Sequence, residues 1–261
     1  MTKKTTAWLI LAISLILVGV IIFVGVMSLF GWNFRKLSTV EYVTKSYEIS
    51  EGFNNIFIDT NTADVEFLPS ENEKTVVECH ELKKMYHSVK VADDTLKIEL
   101  ESKKQNWFIG INFDTPKITV YMPKREYNQL MLSCTTGDVK IPKDFKFGSM
   151  DIKVTTGDIN SYAIANESVK IKATTGDIKL KDITARVMEV KTTTGDITLD
   201  KCDANELYLK ATTGDITGSL LSDKVFVVNA TTGDIDVPQS TTGGKCEIKV
   251  TTGDIKIKIA K

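Results

Sequence analysis

The sequence predicts an all-β protein: a single-stranded β-solenoid of 19-residue rungs with an irregular β cap, preceded by one N-terminal transmembrane helix. Three observations predict it. Thr-Thr-Gly-Asp occurs seven times, with aspartates Asp138, Asp158, Asp177, Asp196, Asp215, Asp234 and Asp254 spaced 20, 19, 19, 19, 19 and 20 residues apart. Aligned on those aspartates, apolar columns alternate with polar ones. An uncharged, mostly aliphatic run extends from Ala7 to Phe30. A fixed period of this size marks one supersecondary unit stacked on copies of itself.

The apolar run comes first. Its 24 residues span about 36 Å as a helix, against a hydrocarbon core of about 30 Å. A cleaved signal peptide is the alternative, but the run is too long and no small-x-small site follows it. Lys3 and Lys4 precede the span and Arg35 and Lys36 follow it, so the positive-inside rule is nearly balanced. Because so little precedes the span, residues 1–6 are expected in the cytoplasm, 7–30 in the cell membrane and the C-terminal domain outside. Residues 31–46 read as a juxtamembrane connector.

Residues 47–128 read as an N-terminal β cap. Ile56, Ile58, Thr60, Thr62, Asp64, Val65 and Phe67 reproduce the repeat columns, with Asn61-Thr62-Ala63-Asp64 at the corner. This is a degenerate first rung. Val89 and Val91, then Leu96, Ile98 and Leu100, suggest a hairpin turning at Ala92-Asp93-Asp94-Thr95. Trp107-Phe108-Ile109-Gly110-Ile111-Asn112-Phe113 is expected to pack on the cap, the alternative being a contact loop.

Residues 129–261 read as the solenoid. Eight residues before each aspartate stand Leu130, Met150, Val169, Met188, Leu207, Phe226 and Cys246; six before stand Leu132, Ile152, Ile171, Val190, Leu209, Val228 and Ile248. Four before stand Cys134, Val154, Ala173, Thr192, Ala211, Ala230 and Val250. This period-2 alternation predicts a strand with one face buried. Its phase slips across Thr-Thr-Gly-Asp, so the chain turns there. Gly137, Gly157, Gly176, Gly195, Gly214, Gly233 and Gly253 suit a corner needing positive φ, and aspartate can bond the backbone at its own corner. Six residues after the aspartate, Ile164, Ile183, Cys202 and Leu221 suggest a further buried column. Seven rungs at about 4.8 Å give a stack of about 34 Å. The last rung, Ile255 to Ile259, has no cap after it and is expected to offer an open edge for a partner or another copy. Cys134, Cys202 and Cys246 fall in different columns on distant rungs, too far apart to be joined, and read as small core residues. The pairing of Cys79 stays open.

The anchor, the repeats and the passage Lys117-Ile118-Thr119-Val120-Tyr121-Met122-Pro123 just ahead of them resemble the "putative adhesin" family of bacterial β-strand-repeat proteins. The resemblance covers residues 47 to 261. It implies an extracytoplasmic β-solenoid with a surface role or, as in Lia-type members, an envelope-stress role. It carries over no catalytic residues.

Three columns raise the question of a site. The seven aspartates could line a row of Ca²⁺ ions, but each rung supplies one carboxylate and two hydroxyls where calcium takes six to eight oxygens. The structural alternative is bonding to backbone N–H and Thr O–H at the corner. The threonines are expected to link rung to rung. Lys153, Lys172, Lys191, Lys210 and Lys249 form an outward ladder, either a solvated face or a surface for wall polymer or anionic lipid. No catalytic residue, metal or cofactor is expected: acids inside the repeat are spread evenly, and His80 and His87 lie outside it. A composition 42% hydrophobic and 26% charged suits a folded chain, and a net charge of −1 without a basic stripe argues against nucleic acid. The sequence therefore points to a non-catalytic interaction protein in adhesion or envelope stress. The alternative is a calcium-binding or polysaccharide-processing β-helix.

Overall fold

The structure, a computed structural model, describes residues 3–33, 40–101 and 114–260. It contains an N-terminal helical unit and a β unit. In the first, α1 (Lys3–Leu29) is one continuous helix, and its stretch from Lys4 to Leu29 is long and apolar enough to cross a membrane. The segment 107–113 lies outside the described residues.

The β unit begins with β1 (Tyr42–Ile49), β2 (Asn55–Thr62), β3 (Asp64–Pro69), β4 (Thr75–Leu82), β5 (Tyr86–Ala92), β6 (Thr95–Glu101) and β7 (Lys117–Met122). The repeats follow as β8 (Glu126–Thr136), β9 (Val139–Ile141), β10 (Lys146–Thr156), β11 (Ile159–Ser161), β12 (Ile164–Thr175), β13 (Ile178–Lys181) and β14 (Thr184–Thr194). The chain ends with β15 (Ile197–Thr213), β16 (Ile216–Leu220), β17 (Lys224–Thr232), β18 (Ile235–Asp236), β19 (Gly244–Thr252) and β20 (Ile255–Ile259). Each repeat gives a long strand before its Gly-Asp corner and a short one after it. The long strands pair in parallel in one sheet, ordered β6, β2, β8, β10, β12, β14, β15, β19, β17. The short strands do the same in a second, ordered β7, β3, β9, β11, β13, β15, β16, β20, β18. β15 serves both sheets.

Register explains the core. Pairs such as Ile152↔Ile171 and Ile171↔Val190 stack like on like, so each apolar column buries against the next rung. The cap follows the same logic. Ile56 and Ile58 pair with Leu130 and Leu132, placing Asn61-Thr62-Ala63-Asp64 at a corner. β5 and β6 form the expected hairpin, with Asp93 and Asp94 at φ 52° and 57°. Antiparallel β1 and β4 continue the short-strand sheet beyond β7, and β5 borders the long-strand sheet beyond β6.

The corner glycine is fixed twice over. Gly176 has φ 140°, and a Cβ there would stand 2.0 Å from the carbonyl oxygen of Gly157 on the neighbouring rung. Rungs stack at backbone distance here, so no side chain fits.

Stacking order departs from chain order. The rungs run Asp64, Asp138, Asp158, Asp177, Asp196, Asp215, Asp254, Asp234: the C-terminal rung is inserted between the two before it. The expected open edge at Ile255 to Ile259 is therefore corrected, because β20 is paired on both sides, with β16 and β18. The open rung is β17 and β18. Pro238 gives the physical reason: it has no N–H to donate and ends β18 after two residues, which suits an edge, whereas β20 supplies five residues to bridge two neighbours.

The expected column six residues after the aspartate is also corrected. Ile183 and Cys202 are fully buried, but Leu221 is 48% exposed and Leu220 is buried in its place. The register of β15 on β16 shifts between Leu199 and Cys202, beside Gly218, and turns Leu221 outward. Ile164 is half-buried, with Ala163 and Ala165 filling the core on either side.

All four cysteines are free and buried. Desolvation pushes the thiols of Cys79 and Cys246 up to about 12 and that of Cys202 up to about 11.

Candidate functional site

The outward face of the long-strand sheet carries the most regular chemistry. Cross-strand register places Lys153↔Lys172, Lys172↔Lys191, Lys191↔Lys210 and Lys210↔Lys249 directly beside one another. The column continues as Ser133 and Asp59 at one end and Asn229 at the other. Two residues on from each lysine stands the first threonine of the corner. Together Lys153, Lys172, Lys191 and Lys210 with Thr135, Thr155, Thr174, Thr193 and Thr212 line a groove of about 530 Å³.

Like charges at rung spacing repel, and neighbouring carboxylates offset part of this. Lys153 pairs with Asp151 at 3.4 Å, and Lys172 with Glu189 at 3.9 Å, where Lys191 also bonds. Lys249 and Lys245 both reach Glu247, at 2.6 and 2.8 Å. Lys191 accordingly lowers the pKa of Glu189, and bonds from Lys245 and Lys249 bring Glu247 down to about 2. Among the described residues, no carboxylate lies within ion-pair distance of Lys210, which leaves it the one unmatched cation of the ladder. All five lysines are exposed or half-exposed.

The threonines differ from expectation. Both members of each pair lie at the surface, and among the described residues no hydrogen bond joins these hydroxyls from rung to rung. The second threonine is still in the strand and in register, as in Thr156↔Thr175, but it is exposed, so the alternation of buried and exposed positions ends at the column residue before the pair. Thr192, a column residue, bonds inward, to the carbonyls of Gly176 and Thr194.

The aspartates form a chain of their own. Asp158 N–H donates to Oδ1 of Asp138 at 2.8 Å, Asp177 N–H to Asp158 at 2.8 Å and Asp196 N–H to Asp177 at 2.9 Å. Each carboxylate from Asp64 to Asp215, and that of Asp254, thus binds the next rung rather than its own corner through one oxygen; Asp234, on the last rung, has no rung beyond it. Repulsion along the column is offset by these amides.

A second cluster escaped sequence analysis. Thr60, Glu81 and His87 are 3%, 1% and 3% exposed. Glu81 Oε2 accepts the backbone N–H of His87 at 2.7 Å and lies 2.9 Å from His87 Nδ1; Thr60 Oγ1 lies 2.9 Å from His87 Nε2. Lys45 donates to Glu81 Oε1 at 3.0 Å. Cys79 stands close enough that Cys79, Glu81 and His87 each offer a metal-ligand atom within 4.8 Å of the others. Glu81 and His87, however, already spend those atoms on each other, Lys45 and Thr60. These bonds tie β1, β2, β4 and β5 together. The six-residue spacing of Glu81 and His87 was visible in the sequence; nothing there said that both point inward.

A family model described as Toastrack DUF4097 matches residues 53–261. The chain belongs to the Toastrack DUF4097 family. No curated protein matches it. Similar solved structures include a "putative adhesin" from Bacteroides fragilis NCTC 9343, 19% identical over 84% of this chain and 97% of that one, with a TM-score of 0.48. A "putative adhesin" from Parabacteroides distasonis ATCC 8503 is 13% identical over 84% and 98%, with a TM-score of 0.44. A "putative lipid binding protein" from the same organism is 15% identical over 84% and 97%, with a TM-score of 0.34. Within this Toastrack chain, the lysine–threonine groove sets a row of cations beside a row of surface hydroxyls.

Proposed function

We propose that this Toastrack protein is a membrane-anchored, non-catalytic surface protein that holds an anionic envelope polymer along its lysine–threonine groove. In this reading residues 7–30 span the cell membrane in a single pass, and the repeats form an extracytoplasmic β-solenoid behind an N-terminal β cap; that cap begins with β1 at Tyr42, which pairs with β4, and not at residue 47, so the connector expected over residues 31–46 is shorter than its sequence bounds. One observation carries it: Lys153, Lys172, Lys191, Lys210 and Lys249 are in register beside a column of surface hydroxyls, so cations and hydrogen-bond donors repeat together. A polymer with phosphate groups at short, regular intervals meets several lysines at once. Multivalent contact of this kind gives avidity from individually weak sites. The sealed environment of Thr60, Glu81 and His87 supports the non-catalytic part of the reading.

The test uses the full chain in nanodiscs of zwitterionic lipid, titrated with inorganic polyphosphate and with lipoteichoic acid. Binding that weakens steeply with salt, and falls when Lys172, Lys191 and Lys210 are changed together to Gln, supports the proposal. Equal binding by the triple variant sinks it. Adhesion and envelope stress are two settings for the same surface, and crosslinking in intact cells separates them: captured wall polymer supports the first, a captured membrane sensor the second.

A further inference from the structure

The insertion of the C-terminal rung leaves an unusual end to the stack. Among the described residues β17 pairs only with β19, and β18 only with β20, so one edge of each sheet is open there. The core is open too. Phe226, Val228 and Ala230 are half-buried and Ile235 is 45% exposed, whereas their counterparts one rung in, Cys246, Ile248, Val250 and Ile255, are at most 3% exposed. Each inner corner sends its glycine N–H to the next rung, as Gly253 does to Thr232 at 2.9 Å; among the described residues Gly233 N–H has no such acceptor.

Exposed edges in natural sheets are commonly blunted by charge. This one is not. The lysine column stops one strand short, with Asn229 in the place of Lys249, and the outward side chains of β17 are Val225, Val227, Asn229 and Thr231. The one lysine in the strand, Lys224, is 3% exposed and neutralised by Asp203. That ion pair holds the start of the strand and removes its charge from the edge.

We propose that β17 is a self-association edge that pairs antiparallel with β17 of a second copy about a two-fold axis. The strand runs from Lys224 to Thr232, so Val228 is its midpoint. An axis at Val228 overlaps the whole strand. It sets Phe226 opposite Ala230 on the inner side, and Val227 opposite Asn229 on the outer side. Inner faces meet inner faces, outer meet outer, and no like charges are opposed. A second copy therefore satisfies the open backbone and covers the open core at once, with the self-complementary patch that a closed dimer requires.

The experiment uses the full chain in detergent micelles, with protein mass from light scattering. A dimer is expected, and the V227K/N229K variant, whose added lysines would face each other across the axis, is expected to raise the dissociation constant about tenfold or more. Both positions are exposed, so folding is retained and is checked by an unchanged melting temperature. Mild oxidation of mixed V227C and N229C chains gives disulfide dimers faster than either variant alone, because those positions oppose each other and the native cysteines are buried. K210C, in mid-sheet, serves as the collision control. A monomeric wild type, a V227K/N229K variant that dimerises as well as the wild type, or crosslinking no faster than K210C would overturn the proposal. So would recovery of β17 crosslinked only to a different protein.

Discussion

The backbone N–H of Asp254 donates to Oδ1 of Asp215 at 2.8 Å, although 39 residues separate them. Asp234, which lies between them in sequence, instead donates to Asp254 at 2.9 Å. These two bonds record the exchanged order of the last rungs. They also show what the repeated aspartate is for: an acceptor aimed at the neighbouring rung.

An acceptor can be separated from a charge by substitution. Asp177→Ala removes the bond from Asp196 N–H and is expected to cost about 1 kcal/mol. Asp177→Asn keeps a carbonyl oxygen in the same place and removes one charge from a like-charged column, so its cost should be close to zero. Denaturant melts of the two variants check this. Equal losses would mean that the carboxylate charge, not the acceptor, matters.

Much of this arrangement was legible in the sequence because it repeats. The period marks the corners, and the alternating columns mark the inward face; Ile56 and Ile58 announce the degenerate rung in the same way. Stacking order was not legible, since Phe226 and Cys246, or Val228 and Ile248, satisfy the same columns equally well and either rung could sit on β15. Pro238 was the local clue, and it says only that β18 suits an edge. The Thr60–Glu81–His87 network was hidden for a different reason. It joins three strands of the irregular cap, where no repeat gives the register.

The corner glycines admit little change. Gly176→Ala places a methyl group 2.0 Å from the Gly157 carbonyl oxygen, and the backbone must move on at least one rung. The expected cost is about 3 kcal/mol or more. Gly52→Ala is the control, since a Cβ there meets nothing within 4 Å and φ is ordinary. Thermal melts should separate the two clearly, and a Gly176→Ala protein as stable as the control would contradict the close-stacked geometry.

Glu81 holds the cap by accepting from three donors. Glu81→Ala leaves His87 N–H and its ring without their partner in the core, and is expected to cost about 3–5 kcal/mol. Lys45→Met should cost much less, about 1 kcal/mol or below, because that side chain is 40% exposed and its ammonium is already partly hydrated. Hydrogen exchange adds location: in Glu81→Ala, protection should fall first in β4 and β5. Uniform loss across all repeats would mean that the network supports the whole stack rather than its cap.

On the lysine–threonine face the ion pairs predict a pH response. Hydrogen bonds from Lys245 and Lys249 hold Glu247 at about 2, below its ordinary 4.5. A carboxylate depressed in the folded state adds stability that is fully present above its unfolded value. That stability is lost as pH falls through the folded one. The window for Glu247 therefore runs from about 4.5 down to about 2. Carboxyl ¹³C shifts of Glu247 should stay those of the ionised form at pH 3, while an unpaired glutamate is already protonated there. Because the group lies in solvent, high salt should draw its midpoint back toward 4.5. Lys249→Gln should move it the same way even at low salt. A Glu247 that titrates normally in the wild type would mean that these lysines are free of their carboxylate, and the ladder more strongly cationic than its geometry indicates.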